Sequence, residues 1–225
     1  MKKKRRFGII GLGHFGYHVA SALYAEGHEV TTIDLNKEKI QAVKDLSSFA
    51  LVGDAANKEF LEAQGFRDMD AVVVSTGSHS HLTTLITLYL KELEVPRILV
   101  KAINEDHGRI LERIGATDVI YPEKDMAIRV ARNISSPNIL EYIPLAEEYS
   151  LSEMAATKGL RGKSLKELDL RNKYYITVIA IKDVLTDDFI PNPAADYKIK
   201  DSDVLIVLGK TDDIDAVLKK IARGK

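Results

Sequence analysis

The sequence predicts an α/β protein in which a doubly wound parallel sheet is followed by a small α+β domain. Short apolar runs alternate with helical patterns over roughly the first 135 residues. A glycine-rich turn, Gly11–Gly16, lies between the first strand and the first helix. The alternation stops at the sequence Ser-Ser-Pro-Asn, residues 135–138, which predicts a linker between two domains, residues 1–138 and 139–225.

The predicted strands of the first domain are short, continuous apolar runs. Such runs are typical of strands that are covered on both faces of a parallel sheet. They lie at Phe7–Ile10, Glu29–Ile33, Phe49–Val52, Ala71–Ser75, Ile98–Ala102 and Asp118–Tyr121. Six such strands with helices between them make one complete doubly wound domain.

Helices are predicted after these strands. The first has one apolar stripe with i, i+4, i+7 and i+8 spacing, which predicts a buried face: Phe15, Val19, Ala22 and Leu23. Asn36 and Asn57 are predicted N-caps, because each precedes a helical pattern and its side chain can accept from free backbone N–H groups. The further predicted helices cover Lys37–Leu46, Lys58–Gln64, Leu82–Leu93, Asp106–Ile114 and Glu123–Ile134.

The second domain is predicted to be small and mixed. Its expected strands are Tyr149–Ala155, Ile176–Ile181 and Val204–Leu208. A capping box, Ser164–Glu167, is expected to open a short helix. The prolines of Ile190–Pro193 indicate a turn between the last two strands, since proline cannot donate within a central strand. A closing helix is expected at 213–223, with an apolar face of Ile214, Val217, Leu218 and Ile221.

Composition excludes several classes of protein. The absence of cysteine excludes disulfides and thiolate chemistry and favours a reducing compartment. A net charge of −1 gives no global attraction to nucleic acid. The basic start, Lys2–Arg6, precedes an apolar run that histidines and glycines interrupt, so it does not fit a signal peptide. No stretch approaches the ~18 apolar residues of a membrane span, and the chain is expected in the cytoplasm.

The glycine turn predicts a nucleotide site. Gly11 would make the tight turn, Gly13 would let the backbone approach phosphates, and Gly16 would let the helix pack close to the strand. The helix N-terminus offers free N–H groups to an anion. Asp34 ends the second strand, where a carboxylate accepts from ribose hydroxyls and repels a 2′-phosphate, which argues against NADP.

Further candidate residues follow from the strand order. Ligands of such sheets bind outside the carboxyl ends of the strands. At those ends lie Gly53-Asp54-Ala55, Ser75-Thr76-Gly77, Lys101 and Glu123. Each of them alone is equally well explained as a turn or a solvated charge, but together they are predicted to line one rim.

These residues resemble the RCK (regulator of potassium conductance, or KTN) family of TrkA-type domains. The resemblance covers nearly the whole chain and is strongest with the cytosolic regulatory subunits of bacterial potassium-uptake systems. In the first domain it rests on Gly11–Gly16, Asp34, Gly53–Ala55, Lys101 and Tyr121–Met126; in the second it rests on Leu160–Leu165, Leu168–Arg171 and Ile176–Lys182.

The resemblance implies a regulatory function without catalysis. ATP and ADP would compete for the first domain, with ATP favouring the conducting state, and NAD is a further candidate ligand. The cofactor-binding set would be Gly11, Gly13, His14, Phe15, Gly16, Asp34, Gly53, Asp54, Ala55, Thr76, Gly77, Lys101 and Glu123. Glu123 would hold Mg²⁺, Ca²⁺ or Na⁺ at the phosphates. Homodimers would assemble into an octameric ring on a membrane potassium channel subunit.

Two details of the resemblance concern individual residues. Family members commonly have arginine where this chain has His14. The direct contact between an arginine cation and a γ-phosphate is therefore not expected in this chain. The C-terminal domain binds cyclic di-AMP at a dimer interface in some members. Here Arg171 can pair with a phosphate, while Tyr175, Ile176 and Pro191 can form an apolar wall for a base. These four residues are equally well explained as packing of the small domain.

Three alternatives belong to other classes. A small NAD-dependent oxidoreductase would need an acid–base group, but no tyrosine has a lysine four positions later. An NADH-binding redox sensor acting on DNA would need a basic helix-turn-helix segment, and charge is mixed after residue 6. A metal site at His14 and His18 has helical i, i+4 spacing but no evident third ligand.

Overall fold

The computed structural model describes residues 4–77, 80–135 and 139–222, and the side chains of residues 219–222 are outside the description. Contacts between residues divide the chain into two compact units after Glu123. The boundary predicted at residue 138 falls on the linker 135–138, of which residues 136–138 lie outside the described residues. That boundary therefore stays a prediction.

The first unit contains a six-stranded, fully parallel sheet in the order β3-β2-β1-β4-β5-β6. Its strands are β1 Arg6–Ile10, β2 Glu29–Asp34, β3 Phe49–Val52, β4 Ala71–Val74, β5 Ile98–Lys101 and β6 Asp118–Ile120. Each agrees with the predicted strand to within one residue at either end. The strand order reverses between β1 and β4, and this reversal leaves a crevice at the carboxyl ends of these two strands.

Helices cover both faces of this sheet, which confirms the doubly wound fold. They are α1 His14–Ala25, α2 Lys37–Val43, α3 Lys58–Ala63, α4 Ser80–Glu92 and α5 Glu105–Ile114, and α6 Pro122–Ser135 begins at the end of the unit. One core cluster joins α1 and α2 to the sheet, and another joins α3, α4 and α5 to it. Asn36 and Asn57 are N-caps as predicted: Asn36 accepts from the N–H groups of Glu38 and Lys39, and Asn57 accepts from that of Phe60.

Two predictions about burial in this unit were only partly correct. In the predicted stripe of α1, Phe15, Val19 and Leu23 pack against the core but are only partly buried, and Ala22 is exposed. The fully buried residues of this helix are Gly16 and Ala20. Small residues face the sheet because the glycine turn brings the start of α1 very close to β1. The edge strand β3 is not covered on both faces, since the Phe49 side chain is more than half exposed. An edge strand has a neighbour on one side only, so less of it is packed.

The second unit contains a five-stranded antiparallel sheet in the order β10-β9-β11-β8-β7. Its strands are β7 Ile139–Pro144, β8 Tyr149–Ala155, β9 Thr177–Asp183, β10 Phe189–Pro191 and β11 Asp203–Lys210. Its helices are the short α7 Leu165–Leu168 and α8 Leu170–Tyr174 and the closing α9 Thr211–Ala222. The architecture confirms the predicted small α+β domain.

The predictions made from local sequence patterns in the second unit were partly correct. Ser164 and Glu167 form the predicted capping box. The segment Ile190–Pro193 is not simply a turn, because Phe189–Pro191 pairs with β9 as an edge strand, a position that tolerates proline. Strand β7 was not predicted. On α9, Ile214, Val217 and Leu218 are buried as predicted, while the side chain of Ile221 and all of Arg223 lie outside the described residues.

No helix in the described part of the chain combines the length and the apolar character that crossing a membrane requires.

Candidate functional site

A cavity of about 380 Å³ lies at the reversal of strand order in the first unit. This volume is in the range typical of small-ligand pockets. Among the described residues, the cavity is lined by parts of four strand ends and by α4: Ile10, Gly11, Gly13, Ile33, Asp34, Leu35, Lys39, Gly53, Asp54, Ala55, Ser75, Thr76, Gly77, Leu82 and Ile86. The sheet therefore gathers most of the predicted rim into one cavity.

The glycine turn has the geometry that the motif predicts. Gly11 has a φ of 89°, which is unfavourable for other residues, and a Cβ there would overlap the carbonyl oxygen of Ser75. A Cβ on Gly16 would overlap the carbonyl oxygen of Gly11. A Cβ on Gly13 would meet no atom within 4 Å. Gly11 and Gly16 are thus required by the fold, whereas Gly13 leaves open space beside the cavity.

The N-terminus of α1 lies in the glycine turn and has backbone donors that no capping side chain uses among the described residues. Gly13 is its N-cap residue, and no side chain among the described residues forms a capping hydrogen bond there. The N–H groups of a first helical turn have no partner within the helix and carry partial positive charge. The start of α1 can therefore donate to phosphate oxygens.

The Asp34 carboxylate is held by the backbone around it. Its Oδ2 accepts from the Leu12 N–H at 2.7 Å, and its Oδ1 accepts from the Asn36 N–H at 2.8 Å. The Nζ of Lys39 lies 3.4 Å from the same Oδ2. The side chain is 11% exposed and lines the cavity. The carboxylate is therefore fixed in place by the backbone on both sides of it, at the border of the cavity.

The third and fourth strand ends complete the polar rim. The Asp54 carboxylate accepts from the Ala56 N–H at 2.9 Å, which orders the turn after β3. The Thr76 and Thr83 hydroxyls are hydrogen-bonded at 2.6 Å, so the turn after β4 is tied to α4. Gly77 has a φ of 70°. These polar groups can orient a nucleotide whose phosphates lie at the start of α1.

Sequence reasoning missed one wall of the cavity and one charge. The wall is apolar and consists of Ile10, Ile33, Leu35, Leu82 and Ile86. Leu35 is 64% exposed although it lies directly beside Asp34, and an exposed leucine at a cavity is suited to contact a flat base. The charge is that of Lys39. Its position five residues after Asp34, in the first turn of α2, was the only available signal.

Several predicted residues do not line this cavity in the described structure. His14 and Phe15 begin α1, and the His14 side chain is exposed. Lys101 and Glu123 form an ion pair with each other at the neighbouring strand ends. The hydrogen bond from Lys101 lowers the pKa of the Glu123 carboxyl below its ordinary value. Glu123 is therefore ionised at neutral pH, and its side chain is 70% exposed.

The four residues predicted for a second ligand differ in accessibility. Arg171 and Pro191 are exposed, and Tyr175 is exposed with a φ of 56°. Ile176 is only 1% exposed and packs in the core of the second unit. An apolar wall there would have to come from Tyr175 and Pro191. Ile176 can contribute only indirectly, by supporting the backbone of Tyr175.

Metal-binding side chains are not concentrated anywhere in the described residues. No group of three or more histidine, cysteine, aspartate or glutamate side chains is placed to hold a metal ion there. A cation at Glu123 would therefore need ligands from another molecule, such as the phosphates of a nucleotide.

Family models match both parts of the chain. The TrkA-N domain model matches residues 7–122, and the TrkA-C domain model matches residues 151–222. The Ktr system potassium uptake protein A of Bacillus subtilis is 40% identical over 212 residues, which cover 94% of this chain and 95% of that protein. The Ktr system potassium uptake protein C of the same organism is 40% identical over 222 residues, which cover 99% and 100%.

Solved structures support the same fold. The crystal structure of the GsuK RCK domain has a TM-score of 0.66 at 15% identity and covers 100% of this chain and 48% of that chain. The GsuK channel bound to NAD has a TM-score of 0.64 at 14% identity and covers 98% and 40%. This chain thus spans half or less of those chains, and the likeness shows the fold.

Proposed function

The chain belongs to the RCK family, in which a TrkA-N domain precedes a TrkA-C domain, and from this membership we propose that it is a nucleotide-binding regulatory subunit of a bacterial potassium-uptake system. The observation that carries the proposal is the cavity with Asp34 and the glycine turn, in a chain that is similar over nearly its whole length to two Ktr system potassium uptake proteins. In this proposal the chain regulates and does not catalyse. It acts in the cytoplasm, at the inner face of the membrane, through a channel subunit.

The proposed ligands of the cavity are ATP and ADP, with NAD as an alternative. Asp34 would accept from the ribose hydroxyls, and the apolar wall around Leu35 would contact the base. The phosphates would lie over Gly13 at the start of α1. The exposed imidazole of His14 is at the first position of this helix, where it can approach a terminal phosphate.

The proposed assembly is a ring of eight chains built from homodimers. The support for a contact surface comes from α6, where none of the described side chains is buried. Met126, Val130 and Ile134 lie at i, i+4 and i+8 on this helix, and each is about half exposed or more. An apolar stripe without cover favours association with a second copy. The helical segment Leu82–Leu93 is a weaker candidate for such a surface, because it contributes mainly to the core of the first unit.

The second unit is proposed to hold cyclic di-AMP. The exposed Arg171 can pair with a phosphate, and the exposed rings of Tyr175 and Pro191 can contact a base. The backbone of Tyr175 is held in a left-handed conformation, so its side chain projects from a fixed position.

Glu123 is proposed to bind a divalent cation together with nucleotide phosphates. Mg²⁺ should strengthen ATP binding, because a divalent cation offsets the repulsion between the γ-phosphate and this ionised carboxylate. In Glu123→Gln that gain should vanish. Calorimetric titration with ATP, with and without Mg²⁺, measures it, and Glu112→Gln on the exposed surface of α5 is the matched control. An equal Mg²⁺ effect in the parent and in Glu123→Gln would contradict this assignment.

The regulatory function is tested by potassium flux. The full chain is reconstituted with a Ktr-type membrane subunit in liposomes, and flux is measured with saturating ATP or ADP. Flux with ATP should exceed flux with ADP by about fivefold or more, which is the lower range of allosteric couplings. The difference should disappear in Asp34→Ala. Flux that is independent of both nucleotides, or hydride transfer from NADH to any substrate, would contradict the proposal.

A further inference from the structure

Lys39 is the one cationic side chain among the described residues that line the nucleotide cavity. We propose that Lys39 raises the affinity of this cavity for adenine nucleotides that carry a phosphate on the ribose 2′-oxygen. Asp34 alone would repel that phosphate. The inference rests on the proposed nucleotide function and concerns the ligand class of the same site.

The geometry separates the roles of Asp34 and Lys39. Asp34 is fixed by two backbone N–H groups, those of Leu12 and Asn36, at 2.7 and 2.8 Å. The Lys39 ammonium is more distant, at 3.4 Å from Oδ2, and its side chain is 46% exposed. The carboxylate therefore does not depend on Lys39 for its position. Lys39 is a long, mobile cation beside an acid that is already held.

The placement of Lys39 changes the charge that a 2′-phosphate would meet in the cavity. A lone carboxylate repels a 2′-phosphate, and this repulsion is the usual reason for selecting NAD over NADP. Here an incoming 2′-phosphate would meet a carboxylate and an ammonium within hydrogen-bonding distance of each other. Since an ammonium forms strong hydrogen bonds with phosphate oxygens, Lys39 offsets the repulsion. Ribose hydroxyls can bind Asp34 without that cation.

Lys39 is well placed for this role by the local structure. Its N–H donates to the Asn36 side chain in the N-cap of α2, so the backbone at Lys39 is ordered. The flexible part is the side chain beyond it. Lys37, two residues earlier, is exposed on the same helix and is not among the cavity-lining residues of the described structure. Lys37→Gln is therefore a control that removes the same charge as Lys39→Gln outside the cavity lining.

The test compares two probes that differ only in the 2′-phosphate, adenosine 5′-monophosphate and adenosine 2′,5′-bisphosphate, in calorimetric titrations of the full chain. Lys39→Gln should lower the affinity for the bisphosphate about tenfold, the size expected for losing a hydrogen bond to a charged group, and should change that for the monophosphate by less than about twofold. Lys37→Gln should change neither affinity beyond that margin.

A second variant keeps the comparison measurable if the parent binds the bisphosphate weakly. Asp34→Asn should strengthen bisphosphate binding, and the gain should be lost in Asp34→Asn/Lys39→Gln. Two results would overturn the role of Lys39 while leaving nucleotide binding in place. One is an equal loss of affinity for both probes in Lys39→Gln. The other is a ratio of the two affinities that Lys39→Gln leaves unchanged both in the parent and in Asp34→Asn. A parent chain that binds neither the monophosphate nor ATP would instead overturn the proposed function.

Discussion

Replacing Gly16 with alanine is expected to destabilise the first unit by about 3 kcal/mol and to weaken nucleotide binding by more than tenfold. The added Cβ would overlap the carbonyl oxygen of Gly11. Because this neighbour is backbone, it cannot move aside as a flexible side chain would. Either α1 moves away from β1 or the turn at Gly11 deforms, and both changes displace the phosphate-facing groups. Urea unfolding and ATP calorimetry measure the two effects.

Gly13→Ala is the matched control for this prediction. Its added Cβ would meet no protein atom within 4 Å, and the φ of −70° at Gly13 is accessible to alanine. The free energy of unfolding should therefore change by less than about 0.5 kcal/mol. ATP affinity should still fall, because the methyl group occupies the space that the phosphates would approach. If Gly16→Ala were as stable as Gly13→Ala, the close packing of α1 on β1 would be disproved.

Asp34→Ala is expected to lower the affinity for ATP and NAD by more than tenfold, or about 1.5–3 kcal/mol. Two contributions add in this variant. The ribose loses a charged acceptor, and the N–H groups of Leu12 and Asn36 both lose their hydrogen-bond partner. Calorimetry with both nucleotides measures the loss.

Asp54→Ala serves as the control for this carboxylate, since Asp54 lines the same cavity and, among the described residues, its carboxylate accepts a hydrogen bond only from its own turn. Its effect should be clearly smaller than that of Asp34→Ala. Unchanged binding of ATP and NAD by Asp34→Ala would show that the ribose lies elsewhere.

Much of the fold could be predicted because buried parallel strands have a simple signature. β1 and β4 are almost entirely apolar runs, and two asparagines mark the starts of α2 and α3. The residues of α1 that lie closest to the sheet were not predictable from its apolar stripe, although Phe15, Val19 and Leu23 of that stripe do pack against the core. There the glycine turn brings Gly16 and Ala20 toward the sheet, so the close approach of two backbones outweighs the burial of larger side chains.

The two edge strands of the second sheet, β10 and β7, were the weakest part of the sequence prediction. β10 contains Pro191 and is three residues long, so it depends on its pairing with β9 and has little signal of its own. β7 pairs with β8 through an irregular register. Such strands are specified by their neighbours in the sheet, which a local pattern does not contain.

The candidate site was predictable where a motif ties residues to a backbone shape. The glycines and Asp34 are such residues. Lys39 and Leu35 were not predicted, because a lysine or leucine in a helical turn has no distinctive pattern until the turn is placed beside the strand ends. Ile176 was placed at a ligand by resemblance, but in the structure it packs in the core.

The pairing of β1 with β4 has a consequence for the order in which the molecule forms. Phe7 pairs with Ala71, sixty-four residues later, and the Ser75 N–H donates to the Ile10 carbonyl at 2.7 Å. A chain emerging from the ribosome therefore carries the glycine turn long before the opposite wall of the cavity exists. Contacts so distant in sequence form slowly and late. Nucleotide can stabilise only the sheet in which both halves have joined, so ligand binding would favour the completed first unit over partly folded chains.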